Sequence, residues 1–505
     1  MSINQTEKNN RTIYLGAAVL AMMVLAALMY CFSSGISGND FWWHVKAGEW
    51  ICKNHKIPAH DIFSWYGIER NLSWTAHEWL ADVVFYIVYH LTGEPGIYLF
   101  SMGTAGCMIL LIWQNVRRYA VRNILFGGLF FVMLAVNASV FFYGRPHVFS
   151  FFLLFFELKI LYSFYENNES KGIYFIPLIA CLWSNFHGGS SNLSYLLCIL
   201  FLCTGLFHFQ TGCVCAEKMS GASRKKLLFV TVGSMLGIMV NPIGTKILFY
   251  PYTNMSDKFM LSVISEWAAP DAKNIGDLIL FFLPILIMTI GLLTENKNIR
   301  LIDLLIMAVF LFLFFRSHRF IFLWFIAAGF YAFRYMPVCR VKKISSILEK
   351  SVLIVFMVLM IIPMGISMQK IYRCHKDDRL ITKAMSGEMM NAIKKDRPSR
   401  IFNDYNLGET LIFNDVKVFF DSRADVYKAE GILKDGISLI FLEQSNEEIG
   451  TEYVDVDKLI EKYEFDSVVM LKTRPFYSYM ISHSEKFECV YEDNTAGYFR
   501  ILKGE

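Results

Sequence analysis

The chain has 505 residues, of which 55% are hydrophobic, 16% aromatic and only 18% charged, with a mean hydropathy of +0.40. That balance is too apolar for a soluble protein of this length and marks a polytopic membrane protein. The net charge of +4 sits in short basic clusters between apolar runs, which reads as membrane topology and gives no support to a nucleic-acid partner.

Taken in chain order, apolar runs fit to cross roughly 30 Å of hydrocarbon occupy Thr12 to Phe32, Gly96 to Asn115, Asn123 to Phe142, Val148 to Tyr165, Ile173 to Phe186, Leu193 to Phe209, Leu227 to Val240, Leu278 to Leu293, Leu301 to Phe315, Phe320 to Phe333 and Val352 to Met368. About eleven spans are expected, with the shorter runs also open to a re-entrant reading. The first run lacks a small-residue cleavage pattern and is expected to act as a signal anchor. If Lys8 and Arg11 are cytoplasmic, then Arg117, Arg118 and Arg122, Lys171, Arg224 to Lys226, Lys297 with Arg300, and Arg340 with Lys342 and Lys343 also fall inside, as the positive-inside rule requires. The same orientation gathers Asp40, His44, Glu78, Arg145, His147, His187, Glu266, Arg316 and Arg319 at the outer face. That convergence is the main reason to expect a site there.

The first outer loop, residues 34–94, opens with Asp40-Phe-Trp-Trp-His44 and later reads His77-Glu78-Trp79. An acid and an imidazole one helical turn apart, among tryptophans at interfacial depth, suit chemistry on a lipid-borne group. The plainer alternative is an aromatic belt with polar helix caps. Phe41 to Ile51 and Glu78 to Leu91 are each long enough for an amphipathic surface helix, with Pro58 and Gly67 breaking the chain between them.

Beyond the membrane domain, residues 1–368, charge density rises and the pattern predicts an extracytoplasmic α/β domain over 369–505. Strand-like runs lie at Val416 to Phe420 and Ser467 to Leu471, and a helix at Val456 to Tyr463. Asp421, Arg423 and Asp425 sit in a loop-like stretch, read first as an internal salt bridge or capped turn and otherwise as an acceptor-holding loop. The eleven cysteines show no metal-ligand spacing. Cys52, Cys374 and Cys489 face outward in this topology, and a disulfide among them is not expected.

These features resemble the GT-C class of membrane glycosyltransferases, which includes the protein O-mannosyltransferases and the lipid A aminoarabinose transferases. More closely, Asp40-Phe-Trp-Trp-His44, Pro58 with Asp61-Ile-Phe-Ser64, His77-Glu-Trp-Leu80, Arg145-Pro-His147, Trp183-Ser-Asn-Phe-His-Gly-Gly189, Asn241-Pro-Ile-Gly244 and Glu266-Trp267 resemble a set of poorly characterised bacterial proteins of that class. The resemblance implies a mainly α, polytopic membrane bundle with a C-terminal α/β domain. It also implies transfer of a sugar from a polyprenyl-phosphate donor in the bilayer to an extracytoplasmic glycan, lipid or protein acceptor.

Under that resemblance Asp40 is the general base, with His44 and Glu78 as further catalytic candidates. Inversion needs only one base, whereas retention would need Glu78 or Glu266 as a nucleophile. The donor phosphate calls for cations, and Arg145, Arg316 and Arg319 lie at the outer ends of spans, though headgroup snorkelling explains Arg316 and Arg319 equally well. His77, His147, His187 and Glu266 complete the expected substrate-binding set, with turn capping the plainer role for His187. No cofactor is expected. Asp40, His44, His77 and Glu78 are residue types that suit a divalent ion, but no tight motif fixes a metal site. A transporter and a non-catalytic scaffold of cell-envelope glycan assembly remain the rival readings.

Overall fold

The longest helix, Trp79–Ala120, breaks at Gly93, whose φ of 65° and ψ of −159° lie outside the reach of most side chains. The break coincides with a division of the chain into two compact units, Met1–Ile36 with Glu94–Leu380 and Ser37–Gly93 with Ile381–Glu505. The computed structural model describes residues 3–36, 38, 40–120, 123–167, 170–255, 259, 267–271, 273–295, 298–336, 346–377, 380–381, 384–428, 430–446 and 450–502. Glu266 lies outside the described residues.

The first unit is a helical bundle. Helices cover each of the predicted apolar runs, among them Ile3–Phe32, Ile124–Phe141, His147–Asn167, Gly221–Met239, Ile275–Glu295, Leu301–Arg316 and Ser346–Lys376. The run expected at Leu193 to Phe209 is shorter than predicted. Its helix ends at Thr204, and Phe209–Thr211 turns into a strand paired with Val214–Ala216. Among the described residues two helices, Trp79–Ala120 and His147–Asn167, are long and apolar enough to cross a membrane. Lys171–Ser190 and Leu193–Thr204 meet that criterion only as a pair bent by 108°. The chain is therefore a membrane protein, with two helices of spanning length and apolarity and one bent pair among the described residues.

Polar side chains fix this bundle. Asp303 is fully buried and accepts from the Tyr162 and Tyr335 hydroxyls at 2.8 and 2.7 Å and from Arg300 at 2.8 and 2.9 Å. Three elements are thereby tied through a single carboxylate, and a buried polar group of this kind is tolerated because it is fully hydrogen-bonded.

The second unit combines the first outer loop with the C-terminal segment. Strands Ile401–Asn403, Ser467–Leu471, Ala496–Ile501 and Phe487–Glu492 form a sheet in that order, parallel across the first pair and antiparallel thereafter. The predicted helix at Val456–Tyr463 and strand at Ser467–Leu471 are present. Val416 to Phe420, in contrast, does not join the sheet. Its backbone partner is the outer loop: Trp65 N–H donates to the Val418 carbonyl at 2.9 Å, and Trp65 Nε1 donates to the Ile401 carbonyl at 3.0 Å. The alternating pattern that suggested a strand is satisfied by a segment roughly 350 residues away in sequence.

Helix Phe41–Asn54 crosses the start of helix Trp79–Ala120 at a glycine. A Cβ on Gly48 would lie 2.1 Å from the Asp82 carbonyl oxygen, so no other residue permits this approach. The Phe41, Trp42 and Phe85 rings close the joint.

Arg423 binds the outer loop to the C-terminal segment. Its guanidinium is buried, pairs with Asp61 at 2.9 Å and grips Asp421 at 2.8 and 2.6 Å. It lies over Trp74 and Phe63, 4.6 and 4.9 Å from the ring centroids. Burial opposes the charge on Asp61, but Arg423, the Ser64 hydroxyl and the Phe63 N–H hold its carboxyl below the usual range. Asp421 and Arg423 are therefore an internal salt bridge and not an open acceptor-holding loop. Arg423→Met is expected to cost about 3–5 kcal/mol, because it strands two buried carboxylates. Thermal or chemical unfolding of the detergent-solubilised protein checks this, and a loss below about 1 kcal/mol would show that the cluster is dispensable.

Candidate functional site

Two groups of the expected site residues are assembled, one in each unit. In the second unit Asp40 stands at the N-cap of helix Phe41–Asn54 in a helical conformation and makes no capping hydrogen bond through its side chain. It is half-buried. His44 is buried, but its imidazole is held by a residue that the sequence did not single out. Nδ1 lies 2.6 Å from the Asp82 carboxylate, while Nε2 is 4.0 Å from Glu78. Glu78 is also 3.9 Å from His77. His44 thus pairs with Asp82, a contact set up by the close crossing at Gly48. A signal for Asp82 was present in the sequence, an acid four residues after Glu78 on an otherwise apolar helix.

A second missed residue is Glu409, on the short helix Gly408–Phe413 that packs against helix Phe41–Asn54. It is fully buried, and Oε1 accepts from the Ser422 N–H at 2.9 Å. Ser422 is a hub, because its Oγ accepts from Trp43 Nε1 at 3.1 Å and its carbonyl accepts from the Tyr405 hydroxyl at 3.3 Å. Burial, followed by the negative charges of Asp40 and Asp421, pushes the Glu409 carboxyl up to about 8. Burial and the same acids push the Tyr405 phenol well up too. Burial and the neighbouring acids thus favour the protonated form of Glu409.

In the first unit His147 Nε2 lies 2.6 Å from the Phe141 carbonyl and is thus the donor nitrogen. His187 Nδ1 faces the hydroxyls of Ser150 and Ser190 at 2.7 and 2.9 Å, and its Nε2 is 3.4 Å from an Arg319 nitrogen. Arg319 also lies over Trp267, 5.8 Å from the ring centroid. Arg145 lies over Tyr143 at 4.9 Å, and Arg316 is exposed at the end of helix Leu301–Arg316. The asparagines of the motifs are structural. Asn185 Nδ2 donates to the carbonyls of Cys181 and Val240 at 2.8 and 2.7 Å, and Asn241 Nδ2 donates to the Ser184 carbonyl at 2.7 Å. They stitch the helix end at His187 to the turn at Pro242.

Among the described residues no group of three or more His, Cys, Asp or Glu is placed to hold a metal ion. The ten described cysteines form no disulfide.

No family model matches the chain. No curated protein matches it either. Solved structures do match. The archaeal oligosaccharyltransferase AglB from Archaeoglobus fulgidus, in complex with an inhibitory peptide and a dolichol-phosphate, aligns at a TM-score of 0.56 and 11% identity over 90% of this chain and 69% of that chain. The oligosaccharyltransferase from the same organism gives 0.53 when tethered with an acceptor peptide and 0.51 in the apo form, at the same identity and coverage. The chain has a GT-C fold. At 11% identity the likeness extends to the GT-C architecture and not to individual residues.

The raised Glu409 carboxyl has a measurable consequence. The folded group titrates at about 8 against an ordinary 4.5, so the native state binds more protons than the unfolded state between those values. Stability from this group is full below about pH 4.5 and is lost as pH rises through 8. Glu409→Gln, which mimics the neutral acid, should remove that slope and leave the variant more stable than the wild type at about pH 9 by up to a few kcal/mol. Unfolding curves from about pH 5 to 9 would reveal it, and parallel profiles for both proteins would contradict the assignment.

Proposed function

We propose that this chain is a membrane glycosyltransferase that moves a sugar from a polyprenyl-phosphate-linked donor to an extracytoplasmic acceptor. The observation that carries this reading is a half-buried carboxylate, Asp40, at the head of the first helix after the first apolar segment of a GT-C fold. AglB, which shares that fold, is in complex with a dolichol-phosphate and an inhibitory peptide. That pairing supports a lipid phosphate and a separate acceptor as the ligand classes.

In this reading the Asp40 carboxylate takes the proton of the acceptor hydroxyl as its oxygen attacks the anomeric carbon. The bond from that carbon to the phosphate oxygen breaks, and its electron pair leaves on the lipid phosphate, so the outcome is inversion. A neutral Glu409 favours this role, because it adds no second negative charge beside the Asp40 carboxylate. Glu78 lies within 4.0 Å of both imidazoles and is assigned to holding them, not to nucleophilic attack. Arg319 is the leading candidate to neutralise the departing phosphate, with Arg145 next. Arg316, being exposed, fits headgroup snorkelling better. Asp421 is engaged with Arg423 and Glu409 with Ser422, and the transfer is proposed to need no metal. We further propose about eleven membrane passages, with the N-terminus cytoplasmic and the C-terminal segment outside.

Asp40→Asn should lower transfer from a radiolabelled polyprenyl-phosphate sugar in proteoliposomes by about 10²- to 10⁴-fold with little change in expression or melting temperature. Turnover near that of the wild type would sink the assignment. For topology, a cysteine introduced by Arg224→Cys should label only from the cytoplasm and one introduced by Lys428→Cys only from outside. Labelling of both from one side would overturn the orientation.

A further inference from the structure

His187 ends helix Ile176–His187, and its ring sits in a set of hydrogen bonds that fixes which nitrogen carries the proton. Trp183 Nε1, a donor only, lies 2.8 Å from Ser150 Oγ and 3.1 Å from Ser190 Oγ. The two hydroxyls are 3.0 Å apart, and both face His187 Nδ1. On the other side of the ring Nε2 meets Arg319. A guanidinium has five N–H donors and no acceptor, so Nε2 must present its lone pair. The proton is then on Nδ1, which donates to a serine hydroxyl. Trp183, Ser150, His187 and Ser190 are all buried, so water does not compete for these bonds.

We propose that His187 is a positioning residue for the donor phosphate: its Nε2 lone pair, held in place by Ser150, Ser190 and Trp183, aims the Arg319 guanidinium. Nε2 engages one nitrogen of the fork and leaves the other N–H groups for phosphate oxygens. The Trp267 ring supports the guanidinium from its face. The His318 N–H donates to the Ala268 carbonyl at 2.9 Å and ties the turn bearing Arg319 to the segment bearing Trp267. His187 by this account does not touch the donor. It removes rotamer freedom from a long side chain, the cost that would otherwise weaken a single arginine's grip on a phosphate. The inference rests on the reading that Arg319 binds the donor phosphate.

The test uses the full-length protein in phosphatidylcholine nanodiscs, with polyprenyl phosphate as the titrated ligand and phosphatidylglycerol as the control for a general anionic headgroup. In His187→Gln the amide reaches the place of Nε2 and can accept from Arg319. In His187→Asn it reaches only the place of Nδ1, so Arg319 loses its acceptor while the serines keep a partner. We expect His187→Asn to weaken polyprenyl phosphate binding about tenfold and His187→Gln to stay within about threefold of the wild type. kcat/KM for the lipid donor should fall in His187→Asn and be largely kept in His187→Gln. Ser150→Ala combined with Ser190→Ala should weaken binding several-fold as well, since the ring then loses its fixed tautomer. Equal affinities for His187→Asn and His187→Gln, or wild-type affinity in the double serine variant, would overturn the positioning role. If Arg319→Ala leaves polyprenyl phosphate affinity unchanged, or if phosphatidylglycerol competes equally, the phosphate assignment of Arg319 itself fails.

Discussion

A single buried guanidinium holds the second unit together. Arg423 sits between Asp61 of the outer loop and Asp421 of the C-terminal segment, under Trp74 and Phe63. Removing such a charge from water costs several kcal/mol unless its donors are satisfied. Here Asp421 and the Tyr427 hydroxyl accept from Nε and Nη2, and Asp61 offsets the charge as an ion pair 2.9 Å from Nη1. The neighbouring residue, Ser422, then receives Trp43 from helix Phe41–Asn54. The helix headed by Asp40 is thus positioned one residue away from the ion pair that secures the whole loop.

That placement has an electrostatic consequence. Asp40, Asp421 and Glu409 are concentrated in one region, where Arg423 neutralises Asp421. Glu409 relieves the remaining excess by staying protonated near neutral pH. One turn further along the helix that Asp40 heads, His44 sits between Asp82 and Glu78.

In the first unit the polar residues divide by task. Asp303 with Arg300, Tyr162 and Tyr335 ties helices together, and Asn185 and Asn241 anchor turns by donating to carbonyls. His187 is different, since one ring nitrogen is committed to packing and the other to an arginine. The GT-C fold supplies the frame in which these local devices sit, and a fold by itself does not dictate function.

The sequence by itself determined the broad class and much of the secondary structure. Apolar runs are helices because their backbone groups must be satisfied internally wherever lipid replaces water, and that constraint is written in composition. The helix at Val456–Tyr463 and the strand at Ser467–Leu471 were legible because their periodicities are local. The motifs that suggested a GT-C architecture were likewise local strings such as Asp40 to His44. Tertiary structure alone decided that residues 37–93 fold with residues 381–505, that Val416 to Phe420 pairs with the outer loop, and that His44 turns to Asp82. Glu409 reads in sequence as an ordinary helix acid. Its proton is retained only because folding buries it beside Asp40 and Asp421, which lie far from it or on a different turn of the chain, and no local pattern encodes the sum of those charges.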